Sequence, residues 1–598
     1  MNVVRHCAEK EVPAIVVVTA GFADGGPEGV ARQEALVDVC RETGIRMVGP
    51  NSIGISSMTG DPTFNATAAP WAPLEGRVGF LSQSGSLALA VVEHTRLIGL
   101  GLSHLVSVGN KADISGNDLL EFWEDDPHTD VIVLYLESFG NARRFSRLAR
   151  RVARHKPVLV VKSARTAAGA RASSTSGALL SESDGTLEAL FRQSGVIRAP
   201  SLGDLLDVAN LLARQPPPPG PRVGILTNAG GLGILCADAC VGGGLEVPDL
   251  SDELRERLRA SVDVVPRLQN PIDVSHEAGP EVYEHALRIL AESGEFDALI
   301  VLFIPPLLAG VDEVLATIER TVPSLPAGRP VLGVFTSRWG ARMQGQTVPR
   351  FEFPEDAARA LAKVYQWQRW RERPDEPAWR AAGSRSDEAR AIVATALGRG
   401  EGWLSPAEVA ALFDCYRINR LPVEVARDAA GVEAVAARRA SMTEPLVLRG
   451  VGPEIADRRH EGGVVVNLHD AREAREAAES MAAHLPVESF TLQPMLHGAI
   501  QLVVGVAQDP VFGPVLACGG SVPQADRPDL LETRLLPLGE LEAGEVAVRL
   551  LDTPVLRPLR DDRAVAAGLR DLVLRLSALS DDLAEVQERD CDPVLLAP

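Results

Sequence analysis

The sequence predicts an α/β protein of several domains, and three observations predict it. Residues 14–18 and 46–48 are apolar, strand-like runs separated by a helical stretch, and the second ends in GPNSIG. Twice, near residues 77–92 and 223–240, an apolar run ends in a small-residue turn and continues as a helix, which is the pattern of a doubly wound parallel sheet. Between them, ARQPPPPGPR at residues 213–222 is an extended and stiff stretch that marks a domain boundary. A chain of 598 residues has room for such a plan, since domains usually take about 100–200 residues each.

Composition narrows the function classes. With 46% hydrophobic residues the chain buries sizeable cores, and a formal charge of −20 argues against a nucleic-acid or acidic-membrane surface, which needs clustered Lys and Arg. The seven cysteines, at 7, 40, 236, 240, 415, 518 and 591, show no metal-ligand pairing and read as reduced thiols. The start, MNVVRHCAEKEVP, lacks the order of a signal peptide, and no apolar run reaches about 18 residues. The expected location is cytoplasmic.

The chemistry-bearing stretches are loops and helix starts. Residues 161–184, VKSARTAAGARASSTSGALLSESD, leave an apolar run as a small, polar loop. Its residues are slim enough for backbone N–H groups to line a phosphate-sized cavity, with Lys162, Arg165 and Arg171 around it. By composition alone it reads equally well as an exposed connecting loop. SQSG at residues 82–85 opens a helix whose first N–H groups suit an anion, or simply caps that helix. TNAGGLG at 227–233 repeats the device. Glu137 closes the apolar run VIVLYLESF. The arginine- and tryptophan-rich residues 367–388 alternate with Glu and Asp and read as a helix and connector. At LSPAEVAALF, Ser405 and Glu408 are spaced as the capping box of an amphipathic helix.

Taken together, KSARTAAGARASS, SGAL and QSGVIR (residues 162–198) resemble the phosphohistidine loop of the NDP-forming acyl-CoA synthetases, the superfamily that includes succinyl-CoA synthetase. The resemblance extends to AGFADGG (20–26), GPNSIG (49–54), NPIDV (270–274), PLVLRG (445–450), GPEIADRRHEGGVVVNL (452–468), LQPMLHGAIQLVVGVAQDPVFGPV (492–515), CGGSVPQADRPDLLETRLLPL (518–538) and RDCDPVLL (589–596). It implies a partial Rossmann-type CoA-binding domain (1–75), a succinyl-CoA synthetase-like domain of alpha type (76–212), the proline-rich linker (213–222), a flavodoxin-like domain of beta type (223–372), a second linker (373–402) and a carboxyl-terminal ATP-grasp domain (403–598). In the family the first half of the CoA-binding domain, with a glycine-rich turn, precedes these motifs, so this sequence is expected to be shortened at its amino end.

What the resemblance implies for function is an acyl-CoA synthetase that joins a carboxylic acid to CoA with ATP converted to ADP and phosphate, using Mg²⁺, with a homodimer as the expected assembly. Gly21, Phe22, Pro50 and Asn51 would lie near CoA; Ser84, Gly85, Gly230 and Gly231 would bind phosphate; Glu137 would face the phosphorylated residue. Arg449, Gly462, Gly463 and Gln493 would bind ATP, and Asp590 and Asp592 would ligate metal.

Several positions depart from the pattern. Thr175 stands where the family has its phosphohistidine; a threonine hydroxyl is a weak nucleophile without a base, and its phosphate ester transfers poorly. Arg449 replaces a lysine, Asp457 and Arg458 replace a His-Lys pair, and Gln501 and Gln524 replace glutamates. His155 and His276 lie outside the loop. The rival expectation is a catalytically degenerate relative that binds CoA, acyl-CoA or nucleotide as a regulatory module, like the synthetase-like part of bacterial protein acetyltransferases.

Overall fold

The computed structural model describes residues 1–163, 184–262, 268–304, 311–335, 347–400, 402–439, 444–452, 462–496, 498–520 and 531–596, with only the backbone of Asp592. The chain divides into two compact units, Met1–Pro374 and Asp375–Pro598.

In the first unit a short parallel pair, β1 (Ala14–Val16) and β2 (Arg46–Val48), is joined through the Pro27–Thr43 helix. The next two strands, β3 (Gly54–Ser57) and β4 (Phe64–Thr67), leave that pair and add antiparallel to the edge of a seven-stranded sheet of order β4-β3-β6-β5-β7-β8-β9. Its parallel part comprises β5 (Glu75–Ser82), β6 (Leu102–Ser107), β7 (Val131–Leu136), β8 (Val158–Lys162) and β9 (Ile197–Arg198). The strands β7 and β8 are buried residue for residue apart from Tyr135, as expected where helices cover both faces.

A second parallel sheet follows, of order β11-β10-β12-β13-β14, from β10 (Val223–Thr227), β11 (Ile272–Asp273), β12 (Ala298–Phe303), β13 (Val331–Phe335) and β14 (Arg350–Phe351). In both sheets the first strand lies between the second and the third, so helical connections leave it on opposite sides. That reversal is the topological switch point of a flavodoxin-like fold, where ligands bind outside the strands' carboxyl ends. The Pro354–Arg371 helix packs on both sheets' helices: Trp367 Nε1 donates to the Ala153 carbonyl at 3.0 Å, and Lys363 Nζ donates to the Arg198 carbonyl at 2.9 Å. Arg222 clasps Asp297 through two hydrogen bonds of 2.9 Å, fixing the entry into the second sheet.

The second unit holds two antiparallel sheets. One has the order β15-β18-β16-β17, from β15 (Glu424–Ala426), β16 (Leu446–Val451), β17 (Val464–Leu468) and β18 (Ser489–Pro494); the other has the order β21-β20-β19-β22, from β19 (Ile500–Asp509), β20 (Gly513–Gly520), β21 (Glu532–Leu535) and β22 (Glu588–Leu596). Leu448 and Leu492 of the first sheet are fully buried against the Ala429–Arg439 and Ala471–His484 helices. The core of the second joins Val504, Leu516 and Cys518 to the Arg563–Asp582 helix, and includes Ala389 and Val393 from the Ser386–Gly398 helix, within the stretch expected to be a linker. The expected capping box at Ser405 is formed: Ser405 Oγ accepts from Glu408 N and the Glu408 carboxylate accepts from Ser405 N. All seven cysteines are free thiols. Among the described residues, no helix is long and apolar enough to cross a membrane.

Candidate functional site

The loops after β1 and β2 are brought together by residues distant in sequence. The Asp24 carboxylate accepts from the N–H groups of Gly21 at 2.8 Å and Phe22 at 3.0 Å, which ties the AGFADGG turn closed. Asn110, from the loop after β6, donates Nδ2 to Asp24 at 2.9 Å and to Gln33 at 3.0 Å, and its backbone N–H donates to the Pro50 carbonyl at 2.9 Å. Asn51 Nδ2 donates to the Asn110 side chain at 3.4 Å. Gly21, Phe22, Pro50 and Asn51 are thus held around one asparagine. Burial pushes the Asp24 carboxyl up, but the hydrogen bonds from Gly21, Asn110 and Phe22 outweigh it and hold the group below the usual carboxylate range. Glycine is required at position 49, where φ is +104° and a Cβ would stand 2.4 Å from the Val17 carbonyl oxygen.

At the switch point of the seven-stranded sheet, β5 runs into the Gly85–Leu97 helix. Ser82 Oγ donates to the Ser84 carbonyl at 2.7 Å and accepts from Ser84 N at 3.2 Å, and Ser84 caps the helix by accepting from Leu87 N at 3.4 Å. A Cβ on Gly85 would come within 2.6 Å of Ile53 Cγ2, so the helix start is seated directly on the GPNSIG loop. Across the crevice, the Glu137 and Ser138 N–H groups both donate to Gln83 Oε1, the second at 3.0 Å. Lys111 Nζ donates to the Ser138 carbonyl. The ends of β5, β6 and β7 therefore form one bonded rim carrying Ser84, Gly85 and Glu137.

The second parallel sheet repeats this rim with different residues. Thr227 Oγ1 donates to the Ala229 carbonyl and accepts from Ala229 N, both at 3.0 Å. Asn228 Nδ2 donates to the Ile304 carbonyl at 2.7 Å while its Oδ1 accepts from Ile304 N at 2.9 Å. The Gly230–Gly242 helix starts here; a Cβ at Gly230 would be 3.0 Å from Asp273 Oδ2, whereas Gly231 faces open space.

In the second unit, Arg449 on β16 pairs in register with Val464 and Thr491, and Gln493 pairs with Val447. Because side chains alternate along a strand, Arg449 and Gln493 share the face opposite Leu448 and Leu492. Gly450 N donates to the Gly463 carbonyl at 3.0 Å, which brings the Gly462-Gly463 turn beside Arg449. On the other sheet Asp590 pairs with Gly505, and a Cβ at Gly505 would come within 2.8 Å of Asp590 Oδ1. Gln501 lies on the same face and is exposed. Among the described residues, no group of three or more His, Cys, Asp or Glu could hold a metal.

Thr175, Arg165, Arg171, Asp457, Arg458 and Gln524 lie outside the described residues, as does the Asp592 side chain. His276 is solvent-exposed beside Glu277, and His155 is exposed in the turn before β8. Sequence reasoning missed Gln83, Asn228, Lys111, Asp24 and Asn110. A signal for the first two was present: SQSG and TNAG share a hydroxyl, an amide, a small residue and glycine in the same order.

Comparison with known proteins matches this geometry domain by domain. The succinyl-CoA ligase-like flavodoxin domain family covers residues 75–212, the ligase-CoA domain family 223–321 and the ATP-grasp domain family 395–598. The chain is 32% identical over 604 residues to acetate–CoA ligase [ADP-forming] I of Archaeoglobus fulgidus, covering 99% of this chain and 86% of that protein. It is 26% identical over 608 residues to 4-hydroxybutyrate–CoA ligase [ADP-forming] of Nitrosopumilus maritimus, again covering 99% and 86%. The apo structure of the dinucleotide-forming acetyl-coenzyme A synthetase 1 of Ca. Korarchaeum cryptofilum superposes with a TM-score of 0.57 at 32% identity, covering 62% of this chain and 81% of that one. Two flavodoxin-like sheets followed by an ATP-grasp domain define the class, an acid–CoA ligase scaffold. The chain belongs to the ADP-forming acyl-CoA synthetase family. Its full-length relatives are ligases, which favours that reading over the binding-module alternative.

Proposed function

We propose that this chain joins a carboxylic acid to CoA, with one ATP converted to ADP and phosphate for each acyl-CoA formed. The observation that carries the reading is the alignment over 99% of the chain to an ADP-forming ligase, with all three domain families in order. The loops gathered around Asn110, with Gly21, Phe22, Pro50 and Asn51, are the proposed CoA contacts. The helix starts at Ser84-Gly85 and Gly230-Gly231 offer first-turn N–H groups and a positive dipole end to phosphoryl groups, each worth about 0.3–2 kcal/mol of anion stabilisation. Glu137 is held at the same rim through its backbone.

For ATP, Arg449 supplies charge, the Gly462-Gly463 turn supplies close backbone approach, and Gln493 supplies an amide on the same face. Asp590, beside Gly505, would supply one carboxylate of a magnesium site, with Asp592 as the second; Mg²⁺ when bound neutralises phosphate charge. The assembly is proposed to be a homodimer and its location cytoplasmic. Thr175 replaces the nucleophilic histidine of the resemblance, so turnover is expected to be slow.

The test is to incubate purified protein with Mg·ATP, CoA and short, branched and aromatic acids, measuring ADP and acyl-CoA together, with Thr175→His alongside. Acid-dependent, equimolar ADP and acyl-CoA, faster in Thr175→His, is the expected result. Absence of both products from both proteins would overturn the reading.

A further inference from the structure

The two switch points are built alike, and they differ in what their amide side chains leave over. At β10 the short Asn228 reaches the end of β12 with both atoms of its amide: Oδ1 accepts from Ile304 N and Nδ2 donates to the Ile304 carbonyl. Both polar atoms of that clamp are engaged internally. At β5 the longer Gln83 spends only its carbonyl, on the Glu137 and Ser138 N–H groups. Gln83 is 6% exposed, and its Nε2 is buried with no hydrogen-bond partner.

The orientation of this amide is fixed by chemistry. Two N–H donors converge on one side of the group, so the oxygen must face them, and the NH₂ is directed elsewhere. A buried amide donor without an acceptor is costly and calls for an explanation, and a ligand that completes the bonding is one. Gln83 stands at the switch point: Ser84 and Gly85 at the helix start lie one and two residues further on, and Ser138, bonded by Lys111, lies at the end of the neighbouring strand. Three features therefore lie together at the carboxyl ends of β5 and β7: a helix amino terminus, an unpaired amide donor and a neighbouring lysine-bonded strand end. The second sheet lacks the middle one.

We propose that Gln83 Nε2 donates to an anionic oxygen of the reactants at the seven-stranded sheet's switch point, and that Gln83 thereby sets affinity for the acid or its phosphoryl partner, whereas Asn228 is a purely internal clamp. This rests on the ligase reading given above for the identity of the reactants. The shared ligand chemistry is an anionic oxygen, supplied either by the carboxylate of the acid or by phosphate.

Two variants of the full chain separate the roles of the amide. Gln83→Glu keeps two acceptor oxygens for the Glu137 and Ser138 N–H groups and deletes the donor; Gln83→Ala deletes both. Binding of acetate, benzoate and inorganic phosphate is measured separately by calorimetry with CoA present, thermal melting reports the fold, and wherever the wild type turns over, KM for the acid is compared with KM for CoA. The expected result is that Gln83→Glu and the uncharged Gln83→Ala both lose at least about tenfold in affinity for the acid or for phosphate, so that added charge is not the cause, with KM for CoA unchanged. The arm that weakens identifies the source of the oxygen. If Gln83→Glu binds both probes as the wild type does while Gln83→Ala is impaired, the amide is a structural clamp and the proposal is overturned. A wild type that binds neither probe overturns it as well. A wild type that binds a probe without forming acyl-CoA removes the ligase reading alone, because the binding arms still read the donor.

Discussion

Gly195 lies against the indole of Trp370, so close that a Cβ built at Gly195 would stand 2.3 Å from the ring. Gly195 also has φ +68°, and the Arg154 guanidinium lies over the Trp370 ring, 4.7 Å from its centroid. The turn before β9 and the Pro354–Arg371 helix are therefore packed with no room for a methyl group. Gly195→Ala combines left-handed strain with overpacking and is expected to lose on the order of 2–4 kcal/mol in urea unfolding. Gly140 is the control: φ is +75° with nothing within 4 Å of its Cβ position, so Gly140→Ala is expected to show the backbone part only, about 1–2 kcal/mol. Equal losses at the two sites would remove the packing argument.

This contact shows where sequence reading stops. The strand-turn-helix units at residues 82–85 and 227–233 were legible because an apolar run, a small-residue turn and a helix are local patterns, and so was the Ser405 cap. Gly195 was visible only as part of QSGVIR; its partner is 175 positions away and is set by how the Pro354–Arg371 helix lies. Similarly, the antiparallel addition of β3 and β4 to the seven-stranded sheet depends on pairing with β6 about fifty residues later. The candidate loops were legible as motifs, but the Asp24–Asn110 bond that joins two of them spans 86 residues. Gln83 was not singled out within SQSG because its role depends on which strand end the topology sets opposite it.

Asp297 gives an acid-sensitive joint. Burial pushes its carboxyl up, but hydrogen bonds from the Arg222 side chain and backbone outweigh this and hold the group below its ordinary value. A depressed folded value means the stabilisation is complete above the unfolded value of about 4 and is lost as pH falls through the folded one. Asp297→Asn is expected to lose about 1 kcal/mol at pH 7, Arg222 being partly exposed, and to show a shallower acid limb in urea midpoints measured from pH 7 to pH 3. An identical loss at pH 3 and pH 7 would rule out the ion pair as its cause.

Asp207 works in the opposite direction. Burial, with Asp356, Asp204 and Glu352 adding and Arg359 opposing, pushes its carboxyl up to about 7. It sits on the Leu202–Leu212 helix facing the Pro354–Arg371 helix, where Asp204 pairs with Arg359 at 3.2 Å. The folded protein prefers the protonated acid, so destabilisation grows as pH rises from about 4 to about 7 and is constant above. Asp207→Asn is expected to stabilise by about 1–2 kcal/mol at pH 8, after discounting for solvent screening, and to be neutral at pH 4.5. A stabilisation of the same size at both pH values would show that charge is not the origin.

Gly85 and Ile53 couple the helix start to the loop proposed to contact CoA. The Ile53 backbone is tied on both sides, its N–H donating to Ser107 Oγ at 3.1 Å and its carbonyl accepting from Ala68 N, so its Cγ2 can yield little to a methyl group on Gly85. Gly85→Ala must then shift the first turn of the helix by a few tenths of an ångström, which displaces the N–H groups aimed at the switch-point crevice. In the acyl-CoA assay the expected result is a loss of about tenfold or more in kcat/KM for the acid, since small misplacements of reacting groups are costly. Ile53→Ala removes Cγ2 and opens the space. The double variant Gly85→Ala with Ile53→Ala is therefore expected to recover most of the activity, a non-additivity that contact between the two residues predicts. If the double variant is as slow as the product of the two single losses, the helix start is not positioned by this contact, and the close fit of Gly85 on Ile53 is packing without consequence for the site.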